Sequence, residues 1–361
     1  MSSDRVSYIG DAPRGLPWNI PVRTGVVGLG YWGPNLARNL YELEDAELVA
    51  VCDGRRDALA AVRRRLPGVR RTTSFDDLLE DASIEAIAIA TPVSTHYELA
   101  AAALEAGKHV FVEKPLAASV AEAEALVALA EKRNLVLMPG HTFLYSPAVN
   151  LIRSLIQNGD LGDIYFISMS RVNLGLHQSD VSVVSDLGPH DFSILSYWLD
   201  ATPVTASATA RACVMPGIAD VAFVDLEFAN ETIAHVELSW LAPSKLRHTT
   251  IVGSEKMVVY DDVSGEPVRV FDSGASLRNP ETFGEYTLTY RTGDIVSPRV
   301  DVVEPLALEM ADFCASIRAH CAPRSSAQLG LDVVRVIEAV ETSLTRDGAR
   351  VAVGNPTAYV A

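Results

Sequence analysis

The 361-residue chain has no apolar run approaching the roughly 20 residues that span a bilayer as a helix, so a membrane protein is not expected. Its first 22 residues also lack the apolar stretch of a secretory signal. They are polar, broken by Pro13, Gly15, Pro17 and Pro21, and read as a flexible arm over 1–22. Cysteine is scarce: Cys52, Cys213, Cys314 and Cys321 are scattered, without CxxC or His-paired metal spacing, which suits a reduced, cytoplasmic chain with structural thiols. No cluster of His, Asp and Glu offers a metal site. Cations are outnumbered, with 30 Lys and Arg against 46 Asp and Glu, a net charge of −16. That balance disfavours nucleic acid and anionic membranes as partners, while an anionic small ligand needs only a local basic pocket. Internal repeats and low-complexity tracts are absent.

What is present is a chain that is 48% hydrophobic, enough for a core, and long enough for two domains. Short apolar runs at Thr24–Gly28, Leu48–Cys52, Ala86–Ala90, His109–Val112 and Val136–Met138 alternate with helix-patterned segments such as Val120–Arg133. Strands separated by helices imply a doubly wound parallel sheet, expected over 23–145. Beyond it the pattern changes. A helix over Pro147–Gln157 precedes a strand over Ile164–Val172, and a further helix is expected from about Pro189. Strand-like runs follow without intervening helices at Val221–Phe228, Thr232–Trp240, His248–Val252 and Met257–Tyr260. Residues 272–303 read as a long excursion, and helices over Pro305–His320 and Gln328–Ser343 close the chain. The fold class is therefore α/β: an N-terminal Rossmann domain, then an α+β domain over 146–350 built on a large open mixed or antiparallel sheet.

Gly28-Leu29-Gly30-Tyr31-Trp32-Gly33 is a GxGxxG that follows an apolar strand and opens a helix, with Pro34 suited to the first turn. Such glycines let the backbone approach a pyrophosphate, which the helix N-terminus attracts. Asp53 stands twenty residues after Gly33, at the end of the second strand, where an acid accepts hydrogen bonds from the adenosine ribose and repels a 2′-phosphate. NAD is thus favoured over NADP, although Arg55 and Arg56 nearby are of the kind that hold such a phosphate. Ala90-Thr91-Pro92 and Glu113-Lys114-Pro115 end the fourth and fifth strand signals. Ligands bind beyond the carboxyl ends of strands in such sheets, which places Thr91, Pro92, Glu113, Lys114 and, at a helix start, His96 with Tyr31 and Trp32 among the cofactor-binding candidates.

These motifs, in this order and spacing, resemble the Gfo/Idh/MocA oxidoreductases over about residues 24–345. Gly140-His141-Thr142-Phe143-Leu144-Tyr145, Arg171-Val172-Asn173-Leu174-Gly175, Asp186-Leu187-Gly188-Pro189-His190-Asp191 and Trp240-Leu241-Ala242-Pro243-Ser244-Lys245 resemble one branch, which includes UDP-N-acetylglucosaminuronic acid 3-dehydrogenases. Arg324-Ser325-Ser326-Ala327 departs from relatives that carry an acid and Gly after the Arg-Ser. The resemblance implies a Rossmann domain followed by a large open sheet through which the chains assemble as homodimers or homotetramers.

Oxidising a secondary alcohol with NAD requires a base for the hydroxyl proton and a cation or donor for the developing alkoxide. The resemblance implies His190 as base, and Gly188-Pro189 suggests a helix start whose dipole would favour the neutral imidazole. Lys114 would polarise the hydroxyl, and Asp186 would orient His190 or Lys114 or bind a sugar hydroxyl. The substrate-binding candidates are Lys114, Tyr145, Arg171, Asn173, Asp186, His190 and Lys245, since a nucleotide sugar brings a pyrophosphate and a uronic acid adds a carboxylate. The expected activity is NAD-dependent oxidation of a ring hydroxyl, at C-3 of UDP-N-acetylglucosaminuronic acid. The alternatives are an oxidoreductase or ketoreductase on another sugar, inositol or deoxysugar nucleotide, and an NAD-binding regulator without turnover.

Overall fold

The computed structural model describes residues 20–175, 181–278 and 287–354. Apart from its last three residues, the expected arm lies outside them. The chain forms two compact units. The first takes the residues up to Ser146 and returns for Val303–Val334; the second takes Pro147–Val302 and the residues from Arg335 onward.

The first unit is a six-stranded parallel sheet. Its strands are β1 (Val22–Val27), β2 (Ala46–Cys52), β3 (Arg70–Thr72), β4 (Ala86–Ile89), β5 (His109–Glu113) and β6 (Leu137–Gly140), in the order β3-β2-β1-β4-β5-β6. The chain reverses its winding between β1 and β4, the crevice where ligands sit in such sheets. Five helices connect the strands: α1 (Gly33–Glu42), α2 (Arg56–Val62), α3 (Asp76–Leu79), α4 (His96–Glu105) and α5 (Val120–Arg133). Helix α5 has the bounds its pattern predicts. Ser119 caps its N-terminus by accepting from the Glu122 amide, and Asn134, in the left-handed region at φ 55°, ends it. Strand β3 is only three residues long, two of them exposed arginines, and gave no apolar signal.

In the second unit, α6 (Pro147–Gln157) leads into β7 (Ile164–Leu174) and then α7 (Val183–Leu199). The strands that follow are β8 (Thr205–Arg211), β9 (Val221–Glu227), β10 (Ile233–Ser239), β11 (Leu241–Gly253), β12 (Met257–Asp261) and β13 (Val268–Phe271). Residues 272–303, expected as an excursion without elements, contain the antiparallel pair β14 (Gly274–Arg278) and β15 (Thr287–Arg291), and then β16 (Ile295–Val296). Helices α8 (Pro305–Ala319) and α9 (Ala327–Leu344) precede β17 (Val351–Ala352). The nine-stranded sheet runs β16-β13-β12-β11-β7-β10-β9-β8-β17 and is mixed, because β7 and β10 are parallel while their other neighbours are antiparallel. One face carries Ile167, Met169, Ala234, Val236, Leu238, Val224 and Ile251, all buried. Residues of the alternate parity, such as Phe166, Phe223 and Ile233, are exposed.

The sequence predicts a second domain unbroken from 146 to 350, whereas residues 303–334 belong with the first unit. Packing gives the reason. Phe313 of α8 meets Phe111 of β5 edge-on at 6.0 Å, and Leu331 and Val334 of α9 join the Rossmann core. The Arg318 guanidinium binds both oxygens of Glu85 at 2.7 and 2.9 Å, and the Pro21 carbonyl at 2.9 Å.

Arg171, expected at the substrate, is instead internal to the second unit. Its Nε and Nη2 each lie 2.8 Å from an oxygen of Asp191 on α7, and both side chains are buried. The reason lies in parity: Arg171 shares the covered face with Ile167 and Met169, so its guanidinium points under α7 rather than into solvent. Breaking a buried pair by removing one partner costs about 3–5 kcal/mol, whereas replacing both with apolar groups is often neutral. Asp191→Ala is therefore expected to lower the unfolding free energy from urea melts by that order, and Arg171→Met with Asp191→Leu to recover most of it. A single mutant as stable as wild type would show that the pair does not hold α7 to the sheet.

Candidate active site

The turn after β1 is built around two glycines. Gly28 has φ +87°, and a Cβ there would lie 2.5 Å from the Ala90 carbonyl oxygen. A Cβ on Gly33 would lie 1.8 Å from the Gly28 carbonyl oxygen. A Cβ on Gly30 would meet no described residue beyond its chain neighbours within 4 Å, so that side of the turn is open for a ligand to approach the backbone. Helix α1 starts with Pro34 in its first turn, no acidic side chain there and no side-chain cap, which leaves its positive end for an anion. Tyr31 and Trp32 stand edge-on to each other at 5.5 Å and are exposed beside this turn.

Asp53 is buried at the end of β2. Its Oδ2 accepts from the Leu29 amide at 2.7 Å and from Arg55 Nη2 at 3.2 Å; its Oδ1 accepts from the Arg55 amide at 2.8 Å and Nε at 3.2 Å. Burial pushes its carboxyl up, but the bonds from Arg55 and Leu29 outweigh this and hold it below the usual carboxylate range. Four donors fill the carboxylate's acceptor positions. A ribose diol must therefore displace the Arg55 side chain, which is exposed and free to leave.

Thr91 and Pro92 follow β4, and Lys114-Pro115 follows β5 across a cis peptide bond. Lys114 is half-buried. His96, expected beside the cofactor, is not at the surface of the site. It is buried, with Nδ1 2.9 Å from the Pro115 carbonyl oxygen and Nε2 3.0 Å from that of Thr91. Each ring nitrogen faces a backbone carbonyl, and the neutral ring donates to one of the two, so the imidazole is seated between the two turns. Burial lowers its pKa, and Lys114 adds to the effect. Glu113 is buried behind the same turn, and burial pushes its carboxyl up to about 7.

Tyr145 is likewise core rather than substrate-facing. Its hydroxyl donates to Asp312 at 2.6 Å and accepts from the Ser325 amide at 3.1 Å, and the Arg324 guanidinium lies over its ring. Ser325 also donates to the Pro139 carbonyl at 2.6 Å.

In the second unit, α7 begins at Val183 with Ser182 as its cap, not at Pro189. His190 is therefore in mid-helix, two turns from the N-terminus, and the dipole expected to keep it neutral does not apply there. Pro189 lies inside the helix, although proline usually marks a first turn. Asp186 and His190 are four residues apart and share one face of α7, both half-buried. The Trp240 indole donates to Asp186 Oδ2 at 3.1 Å. Leu241 pairs with Leu174 and Leu246 with Val172, so Ala242-Pro243-Ser244-Lys245 bulges opposite Asn173 alone, with Lys245 exposed. Asp186, His190, Asn173 and the Lys245 bulge thus belong to α7 and to adjoining strands of one sheet.

The parallel sheet with its glycine turn, acid and unfilled helix end is a dinucleotide site, and comparison with known proteins agrees. The description "Oxidoreductase family, NAD-binding Rossmann fold" matches residues 22–141, and "GFO/IDH/MocA C-terminal domain" matches residues 149–259. The chain belongs to the Gfo/Idh/MocA oxidoreductase family. As a member it is an NAD-dependent oxidoreductase. It is 29% identical over 303 residues to the UDP-N-acetylglucosamine 3-dehydrogenase of Acidithiobacillus ferrooxidans, covering 83% of this chain and 90% of that one. A solved structure of that enzyme superposes with a TM-score of 0.75 at 28% identity, covering 90% of this chain and 99% of that one. The scyllo-inositol 2-dehydrogenase (NAD(+)) of Bacillus subtilis is 30% identical over 235 residues, 62% of this chain and 68% of that one. GenD2 from gentamicin A biosynthesis, solved in complex with NAD, shares the fold at 24% identity, with a TM-score of 0.80 over 96% of this chain and 100% of that one.

The Asp53–Arg55 pairing generates a test in this oxidoreductase. If the ribose diol must displace Arg55, then Arg55→Ala should tighten NAD by roughly two- to fivefold, the scale of an exposed ion pair. Calorimetry checks this; weaker NAD binding by the variant would mean that Arg55 itself holds the cofactor.

Proposed function

We propose that this oxidoreductase is a nucleotide-sugar dehydrogenase that oxidises the C-3 hydroxyl of a UDP-N-acetylhexosamine or its uronic acid, forming a 3-keto sugar and NADH. The likeness to the UDP-N-acetylglucosamine 3-dehydrogenase over most of both chains carries this reading. The pairing of Arg171 with Asp191 bears on the choice within the class. A uronic acid carboxylate would have been met by that guanidinium, and the guanidinium is already neutralised. The uncharged N-acetylhexosamine is therefore the first substrate to test. The inositol dehydrogenases among the relatives motivate the second reading, a polyol or free-sugar dehydrogenase.

In this reading NAD, when bound, would supply the hydride acceptor. Gly28, Gly30 and Gly33 admit its pyrophosphate, Asp53 takes the ribose diol, Thr91 and Pro92 border the nicotinamide half, and Tyr31 and Trp32 flank the turn. Lys114 donates to the reacting hydroxyl and favours its alkoxide. His190 receives the hydroxyl proton, with Asp186 on the same helix face orienting it or binding a neighbouring hydroxyl. Asn173 and Lys245 bind the nucleotide portion, the lysine as a point charge for phosphate.

The experiment is NADH formation with a panel of UDP- and dTDP-sugars, UDP-uronic acids and inositols. Turnover is expected on the UDP-N-acetylhexosamines, and absence of turnover on every nucleotide sugar would overturn the reading. Lys114→Ala should leave NAD affinity nearly intact while lowering kcat by about 10²–10³, the usual loss for one alkoxide-stabilising donor. His190→Asn should cost roughly 10²–10⁴. Because both act on one proton transfer, the double mutant should lose less than the product of the single losses.

We further infer self-association through the exposed face of the nine-stranded sheet, where Phe166, Phe223 and Ile233 leave apolar area uncovered. Light scattering at micromolar concentration should give a dimer or tetramer; a monomer mass would contradict this.

A further inference from the structure

Residues 55–71 stand apart from the rest of this acidic chain. They carry seven arginines against one acid, Asp57, a local charge of +6 within a chain of −16. Cations so crowded repel one another and work against the compact state unless carboxylates or a bound anion answer them. Elsewhere in the first unit and at its margin, carboxylates do so. Arg23 pairs with Glu47, Arg38 with Glu304, Arg70 with Asp81 and Arg318 with Glu85. Arg55 is taken by Asp53. Arg56, Arg63 and Arg71 have neither an ion pair nor a side-chain hydrogen bond among the described residues.

These three arginines converge on one open cavity of about 470 Å³. Part of its lining is a single face of α2. Arg56, Leu59, Ala60 and Arg63 stand at positions i, i+3, i+4 and i+7, a spacing that stacks side chains along one side of a helix. Arg63 caps α2 with helical dihedrals, φ −52° and ψ −40°, and so stays on the face that Arg56 begins. The rest of the lining is Arg71-Thr72-Thr73, at the end of the edge strand β3. Leu59 is buried, whereas the three arginines are exposed. Thr73 is exposed too, and its hydroxyl has no partner among the described residues. The Thr72 hydroxyl donates to Asp77, so the carboxylate bonded to this lining faces a hydroxyl and not an arginine.

The cavity adjoins the cofactor site without being part of it. The Asp53 amide donates to the Thr72 carbonyl at 3.3 Å. Yet Asp53, Arg55 and the glycine turn do not line the cavity. A phosphate carried on a ribose at Asp53 would meet that carboxylate first. The three arginines are therefore left for a different anion. Forked guanidinium donors match phosphate oxygens, and the volume is within the roughly 300–1,000 Å³ of small-molecule sites. A chain of phosphates answers all three cations at once, which a lone carboxylate does not.

We propose that the cavity between α2 and the end of β3 is a polyphosphate-binding site, filled by the phosphate chain of a free nucleotide or a comparable anion while the dinucleotide occupies the glycine turn. No bond is made or broken there. Binding neutralises the arginine cluster and so stabilises the folded chain. The site requires no particular sugar substrate.

Calorimetry with inorganic triphosphate tests this on the full-length protein saturated with NAD. Binding at one site per chain is expected at about 0.15 M salt, where diffuse surface attraction is largely screened. Arg63→Ala and Arg71→Ala should each weaken it roughly three- to tenfold and leave NAD affinity unchanged. Arg64→Ala removes the same charge from the same segment outside the lining, and should weaken it by roughly twofold or less. Melting curves check that each variant is folded, and wild type should melt higher with triphosphate present. Equal losses in all three variants would mean a diffuse basic patch and overturn the site. Displacement of NAD by triphosphate, or no binding to the NAD-saturated protein, would overturn it as well. NADP supplies the last arm: if Arg63→Ala and Arg71→Ala weaken NADP but not triphosphate, the cavity serves a phosphate on the cofactor, and the separate site falls.

Discussion

The tight passage from β1 into α1 is the constraint on which the cofactor half depends. The Gly33 backbone lies so close to the Gly28 carbonyl that no side chain fits, and Gly28 itself abuts the end of β4. That closeness fixes where the helix N-terminus points. It also brings the Leu29 amide within 2.7 Å of Asp53, so turn and acid are held as one piece. On the Cβ side of Gly30 the described residues leave open space, which is where a pyrophosphate would approach the backbone. The β4 turn is registered against the same passage through Gly28. His96 sits between that turn and the one carrying Lys114, with its two ring nitrogens facing the Thr91 and Pro115 carbonyls and its single N–H donated to one of them.

Buried charge is handled in two ways in this acidic chain. Arg171 and Asp191 form a bidentate pair that neutralises itself and joins α7 to the sheet. Glu113, His141 and Glu309 are buried without such partners, so burial acts on their proton equilibria instead and displaces them from their ordinary values. The first arrangement joins two elements, and the second leaves the charge of each group to its surroundings. Both rest on the same penalty for taking charge out of water.

The second unit is organised around α7 and the strand ends it covers. Asp186 and His190 share a helix face, the Trp240 indole bonds Asp186, and the bulge in β11 stands opposite Asn173. Bulges at such places re-aim side chains. The same segments carry the motifs by which the chain resembles one branch of its family.

The sequence alone determined the two-part architecture, the cofactor class and, to within one residue, the ends of α5, α6, α8 and α9, because these depend on local rules. Strand–helix alternation, glycine spacing and the acid after β2 are all written within short windows. Helix α5 and helix α6 have their predicted bounds for that reason. Only tertiary structure decided what needed distant partners. Arg171 and Tyr145 have the chemistry of ligand-binding residues, and it took Asp191, Asp312 and Ser325, brought in from 20 to 180 positions away, to make them internal. The start of α7 was misplaced because Pro189 is an N-terminal signal, and packing of the buried Val183, Val184 and Gly188 overrode it. Residues 303–334 left the second unit because Phe111 and Glu85 offered their aromatic and charged side chains better partners there. Glu309 carried no local mark at all: a glutamate on an amphipathic helix reads as solvated, and only the packing of α8 against Thr142 buried it.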